Sequence, residues 1–137
     1  MITILVLPQP LRAQLAAEAR AAFPRECCGL IEGERDFERM HAMILHPTAN
    51  FSADAASFEI DPAAHLRLKR TARAAGREIV GCYHSHPNGR PVPSDHDRAF
   101  DGQDGFVWLI VAIGEDAAPV ELSAFEGAHF RQISVVE

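Results

Sequence analysis

The run Phe106 to Ile113 is apolar at every position. A strand with two apolar faces must be covered on both, so it belongs in the middle of a sheet with further layers against it. The rest of the chain supplies those layers. Met1 to Leu7 reads as a first strand, stopped by Pro8-Gln9-Pro10. A helix follows from about Leu11 to Phe23, where Leu11, Leu15, Ala19 and Ala22 recur at helical spacing and Pro24 ends it. Glu26 to Ile31 reads as a strand, Gly33 as a turn and Phe37 to His46 as the next strand. Asp61-Pro62 is a helix start and Gly76 its stop. Glu78 to His86 is strand-like, and a short helix runs from Ser94 toward Phe100. Pro119 to Phe125 and His129 to Val136 form a hairpin around Glu126-Gly127. Helices thus interrupt a strand-rich chain, which predicts a single α/β or α+β domain, a mixed central sheet flanked by helices in three layers.

A chain of 137 residues, 47% hydrophobic and 23% charged, can bury a core without disulfides or a structural metal. A metal here would serve chemistry rather than folding. The net charge of -6 argues against nucleic acid as a partner, since phosphate binding needs clustered cations. Arg67, Lys69, Arg70, Arg73 and Arg77 do cluster, but on one helical stretch that reads as a solvated face. There is no apolar run of membrane-spanning length and no signal-peptide pattern at the N-terminus. Three cysteines, two of them adjacent, make no disulfide framework, and a reducing cytoplasm is the expected location.

The chemistry concentrates in His84-Ser85-His86-Pro87 and Ser94-Asp95-His96-Asp97. On a strand, His84 and His86 point to one face about 6.6 Å apart, close enough for both imidazoles to grip one ion. Pro87 stops that strand, leaving His86 at an edge open to solvent. Cys82 shares the face but lies roughly 13 Å from His86, too far to join it. Asp97, in the first turn of a helix, is the natural third ligand, and two histidines with one carboxylate leave a position for water. Each part has a plainer reading. An i, i+2 histidine pair arises by chance, and Ser94-x-x-Asp97 is also a helix cap. His41, His46, His65 and His129 read as surface or core residues, and the cysteines as small hydrophobes.

The string His84-Ser85-His86-Pro87, six residues, Ser94, two residues, Asp97 resembles the full signature of the JAMM (MPN-plus) metalloproteases. Pro24 to Leu30 is similar to the family's upstream glutamate segment, and Asn50, Phe58 to Pro62 and Ile79 to Gly81 fall at familiar places. The resemblance implies a cytidine-deaminase-like architecture and one zinc held by His84, His86 and Asp97. It makes Glu26 the group that takes a proton from water and hands it to the leaving amine, and Ser94 a donor to the oxyanion. Small bacterial members of this type resemble proteases of ubiquitin-like sulfur-carrier proteins. The substrate implied is therefore the amide bond after a Gly-Gly tail, with the tail adding as a strand beside Asn50 to Ser57. Three other readings fit less well. Non-catalytic MPN-type interaction modules have broken ligand sets. Zinc deaminases need H-x-E and P-C-x-x-C. The DNA-repair-associated branch gets no support from the acidic balance.

Overall fold

A computed structural model describes residues 1–98, 104–114 and 120–137. Seven strands and three helices alternate along those residues: β1 (Ile4–Val6), α1 (Gln9–Ala22), β2 (Cys28–Asp36), β3 (Arg39–Thr48), α2 (Pro62–Ala74), β4 (Glu78–His86), α3 (Asp95–Arg98), β5 (Val107–Ala112), β6 (Glu121–Glu126) and β7 (Arg131–Val136). The strands lie in the order β1-β3-β2-β4-β5-β6-β7. β4 and β5 run parallel, while β2–β3, β2–β4, β5–β6 and β6–β7 are antiparallel. The sheet is therefore mixed, as the alternation of elements requires. It also closes on itself, because β1 lies parallel to both β3 and β7. Closure removes two exposed edges that a flat sheet of this size would present.

β5 is as central as its composition demands. Val107, Leu109 and Val111 face a cluster that includes Leu15 and Ala19 of α1. Trp108 and Ile110 face a second cluster that includes Ala72 of α2, with Leu68 packed against it. One helix covers each face of the sheet. α2 is bounded as its ends predict. The Asp61 side chain accepts a hydrogen bond from Ala63 N, Pro62 opens the helix, and Gly76 sits just beyond it at φ +78°.

Three local expectations fail. Gly33 does not make a turn: β2 runs on to Asp36, and the turn is at Phe37, whose φ is +54°. Gly33 instead marks an irregularity, where the β2–β3 register shifts between Glu32 and Gly33. A Cβ there would strike the His41 carbonyl, so only glycine fits. The shift carries Glu32 inward, where its oxygens meet His46 Nε2 at 2.9 Å and Arg77 Nε at 2.5 Å. Second, Glu26 lies just before β2 rather than within it. Third, β4 is not an edge. It pairs with β2 on one side and β5 on the other, and His86 is only 3% exposed. The ends assigned at Phe100 and Pro119 lie outside the described residues.

Candidate metal centre

β4 delivers the two histidines. His84 pairs with Cys28 of β2 and Ile110 of β5 and is held on both sides, while His86, one step past the end of the β2 pairing, is held by Ala112 of β5. Their rings point to the α2 face, and their Nε2 atoms come within 2.9 Å of each other. Asp97, from α3, brings Oδ2 to 3.1 Å from His84 Nε2 and 3.0 Å from His86 Nε2. All three side chains are buried, His84 completely and Asp97 to 2% exposure. Ser94 and Asp97 also form the reciprocal cap: Asp97 N donates to Ser94 Oγ at 3.0 Å, and Ser94 N donates to Asp97 Oδ2 at 2.9 Å. The capping reading and the ligand reading of Asp97 hold at once.

The donor chemistry of this triangle fits a cation. Donors about 2.0 to 2.2 Å from a tetrahedral zinc stand roughly 3.3 to 3.5 Å from one another, and these three already lie close to that spacing. His86 Nδ1 is 2.9 Å from the Arg90 carbonyl. A carbonyl only accepts, so Nδ1 carries a proton, which leaves Nε2 as the nitrogen that would face an ion. Burial lowers the pKa of His84, which favours the neutral, lone-pair-bearing ring. Burial also works against ionised Asp97. Hydrogen bonds from His84 and His86, the His84 charge and Ser94 N–H outweigh it and hold the carboxyl well below its usual range. The same contacts that hold Asp97 ionised would be exchanged for bonds to a cation, with each Nε2 giving up its proton as the ion takes its place.

Glu26 approaches from the segment before β2. Its carboxylate and the two histidines offer ligand atoms within 4.8 Å of one another, a looser grouping than the His84–His86–Asp97 triangle. On distance, the triangle is the tighter grouping and Glu26 stands one step back. Glu26 is 6% exposed, and its Oε1 has no hydrogen-bond partner among the described residues. Burial above all pushes its pKa up to about 7. Asp97 and Asp54 push the same way, and His86 opposes them. A carboxylate so poised can take up and release a proton near neutrality.

Two anchors that residue spacing does not reveal hold Glu26 against β4. Ser85 is wholly buried; its Oγ accepts from Cys27 N at 2.8 Å, and its N–H donates to the Cys27 carbonyl at 3.0 Å. Asn50 Nδ2 donates to the carbonyls of Glu26 and Ser57, each at 3.0 Å, while its Oδ1 accepts from Ser52 N at 2.9 Å and Glu59 N at 3.0 Å. Asn50 to Glu59 is thereby drawn into a strap folded on itself. The N–H groups of Phe51, Ser52, Asp54, Ala56, Ser57 and Glu59 all bond within it. A substrate strand expected to add beside Asn50 to Ser57 finds those donors already engaged.

Residues 8–126 match the prokaryotic homologues of the JAB domain. A Haloferax volcanii protein named "Desampylase" is 33% identical across 90% of this chain and 95% of its own length. A Thermus thermophilus protein named "Probable TtuB-protein conjugate cleaving protease" is 27% identical across 87% of this chain and 84% of its own. Among solved structures, a Desulfitobacterium hafniense protein superposes with a TM-score of 0.80 at 27% identity, covering 97% of this chain and 91% of that one. The matched span takes in Glu26, both histidines and Asp97 together, and this chain belongs to the prokaryotic homologues of the JAB domain.

Proposed function

We propose that the chain is a cytoplasmic zinc peptidase that hydrolyses the amide bond after the Gly-Gly tail of a ubiquitin-like protein, with the sulfur-carrier class as its natural substrate. His84, His86 and Asp97 would hold one zinc. The observation that carries the reading is the buried triangle of donors within 3.1 Å, with the Glu26 carboxylate beside it. The names of two relatives, a desampylase and a TtuB-conjugate cleaving protease, support a protein conjugate as substrate.

Zinc in such a site supplies a Lewis acid and a water acidified to a pKa of about 7. Glu26, whose burial raises its carboxyl pKa, accepts a proton from the attacking water and returns it to the leaving amine. Ser94 Oγ already accepts Asp97 N–H, which leaves its own O–H proton free to donate to the oxyanion. Ser85 and Asn50 keep the Glu26 backbone in register with the histidines.

The test is cleavage of a ubiquitin-like protein extended beyond its C-terminal Gly-Gly, read by intact mass. The expected cut follows the second glycine. Glu26→Gln should retain the zinc and lose hydrolysis by about a thousandfold. A zinc-loaded enzyme that leaves a panel of such fusions uncut would overturn the substrate assignment; a fully active Glu26→Gln enzyme would remove Glu26 from the mechanism.

A further inference from the structure

The two histidines of the centre are oriented by different means, and the difference assigns a role to Phe58. His86 has the usual outer partner, the Arg90 carbonyl, which sets its tautomer and ring rotation. His84 has none: its Nδ1 is fully buried and finds no hydrogen-bond partner among the described residues. What it has is a ring. Phe58 lies over the imidazole with centroids 4.3 Å apart and planes inclined by only 19°. Phe58 is itself 4% exposed and meets Trp108 edge-on at 6.4 Å, so it has little room to move.

We infer that Phe58 is the positioning residue of His84, its stacked ring fixing the imidazole plane where no polar partner among the described residues does. This rests on the metal reading of the site. A face-to-face stack leaves the imidazole free to slide slightly but not to tilt, so Nε2 stays aimed along the plane that contains the other two donors. The Phe58 backbone is placed by Asn50, which bonds the Ser57 carbonyl before it and the Glu59 N–H after it. The same amide holds the Glu26 carbonyl. One side chain therefore sets the glutamate and, through Phe58, the first histidine. Movement of the strap would displace both together.

The experiment compares Phe58→Leu, which keeps apolar bulk but removes the ring, with Phe58→Tyr, which keeps the ring. Zinc affinity is measured by competition with a chromophoric chelator, and the cobalt-substituted proteins are examined by visible absorption. Phe58→Leu is expected to bind zinc about 10- to 100-fold more weakly, as loss of an outer partner does, with shifted cobalt bands. Phe58→Tyr should bind close to wild type with the cobalt bands unmoved. A role in the core alone would lower the melting temperature of Phe58→Leu while leaving affinity and spectrum as they were, and that result overturns the inference. A second measurement needs no variant. In zinc-loaded wild type with nitrogen-15-labelled histidine, the His84 Nδ1–H proton should resonate upfield of the hydrogen-bonded His86 proton. A low-field His84 proton would reveal a polar partner and remove the need for Phe58. A wild-type chain that takes up neither zinc nor cobalt overturns the metal reading itself. Metal lost in His84→Ala but bound normally by Phe58→Leu overturns the positioning role alone.

Discussion

The centre has two walls built on opposite principles. One is the end of β4, where His84 and His86 sit in a strand paired on both sides, and their spacing follows from the pleat of the sheet. The other is the strap from Asn50 to Glu59, which has no regular structure and is held by side-chain bonds, above all those of Asn50. The sheet wall carries two of the three candidate ligands. The strap wall carries none, yet it bears on Glu26 and on the plane of His84. A ladder tolerates the loss of one contact because its neighbours share the load. A strap hung from one amide does not. Damage to the first wall should abolish the metal, and damage to the second should at most weaken its binding, through Phe58, while spoiling its use.

The largest effect expected is on the triangle. His84→Ala or Asp97→Ala should reduce bound zinc from about one per chain to near zero, with hydrolysis falling to background. Asp97→Ala also removes an acceptor of the Ser94 cap, so its melting temperature should fall further than metal loss explains. Full zinc occupancy in both variants, measured by elemental analysis, would show that the triangle is a hydrogen-bonded core feature.

Next is the spacing of the sheet wall. A Cβ on Gly81 would collide with the Val107 carbonyl and press on the β4–β5 pairing that aligns His84 with Ile110. Gly81→Ala is expected to destabilise by about 3 kcal/mol, toward the upper end of overpacking costs. Denaturant unfolding reads the loss. A neutral result would mean that β4 has room to shift, and the contrast between a stiff wall and a hung one would weaken.

Glu26 sharpens the contrast through pH. In metal-free protein, burial raises its carboxyl from an ordinary 4.5 to about 7. A raised carboxyl pKa favours the fold below the unfolded value, and that contribution fades as pH climbs through about 7. At pH 8 the fold then carries a buried charge at a cost of up to about 3 kcal/mol. Glu26→Gln should therefore raise the melting temperature of chelator-treated protein at pH 8 and leave it unchanged near pH 4. Melting curves for the two proteins that stay parallel from pH 4 to pH 8 would mean that Glu26 is not desolvated in this way.

What the sequence revealed follows the same division. The H-x-H strand, the apolar β5, the ends of α2 and the Ser94–Asp97 cap are local patterns, and each is legible from neighbouring residues. Glu26 was visible only through family resemblance, because its role depends on Ser85 and Asn50, the latter 24 residues away, and no periodicity links them. Gly33 misled because a glycine in a register shift and a glycine in a turn look alike in one chain. Closure of the sheet by β1 depends on pairing the two ends of the chain, Ile4 with Ser134 and Val6 with Val136, which no local signal encodes. Phe58 read as part of a familiar string; only its stack on His84 shows what it touches.

The smallest effect, and the most informative about the strap, should come from Asn50→Asp. Aspartate keeps the oxygen that accepts from Ser52 N and Glu59 N but cannot donate to the Glu26 and Ser57 carbonyls. Two carbonyls then face a carboxylate oxygen in a half-buried place, and the expected loss of stability is about 2 kcal/mol. Because the β4 wall is untouched, zinc content should stay near one per chain while kcat falls more than KM rises. Asn50→Ala removes the accepting oxygen as well and should cost more on the same axis. If Asn50→Asp instead loses its zinc outright, the strap carries the triangle as well as the glutamate, and the two walls are one mechanical unit. If it keeps both zinc and kcat, the Glu26 backbone is held by Ser85 and Cys27 alone, and the asymmetry between the walls disappears.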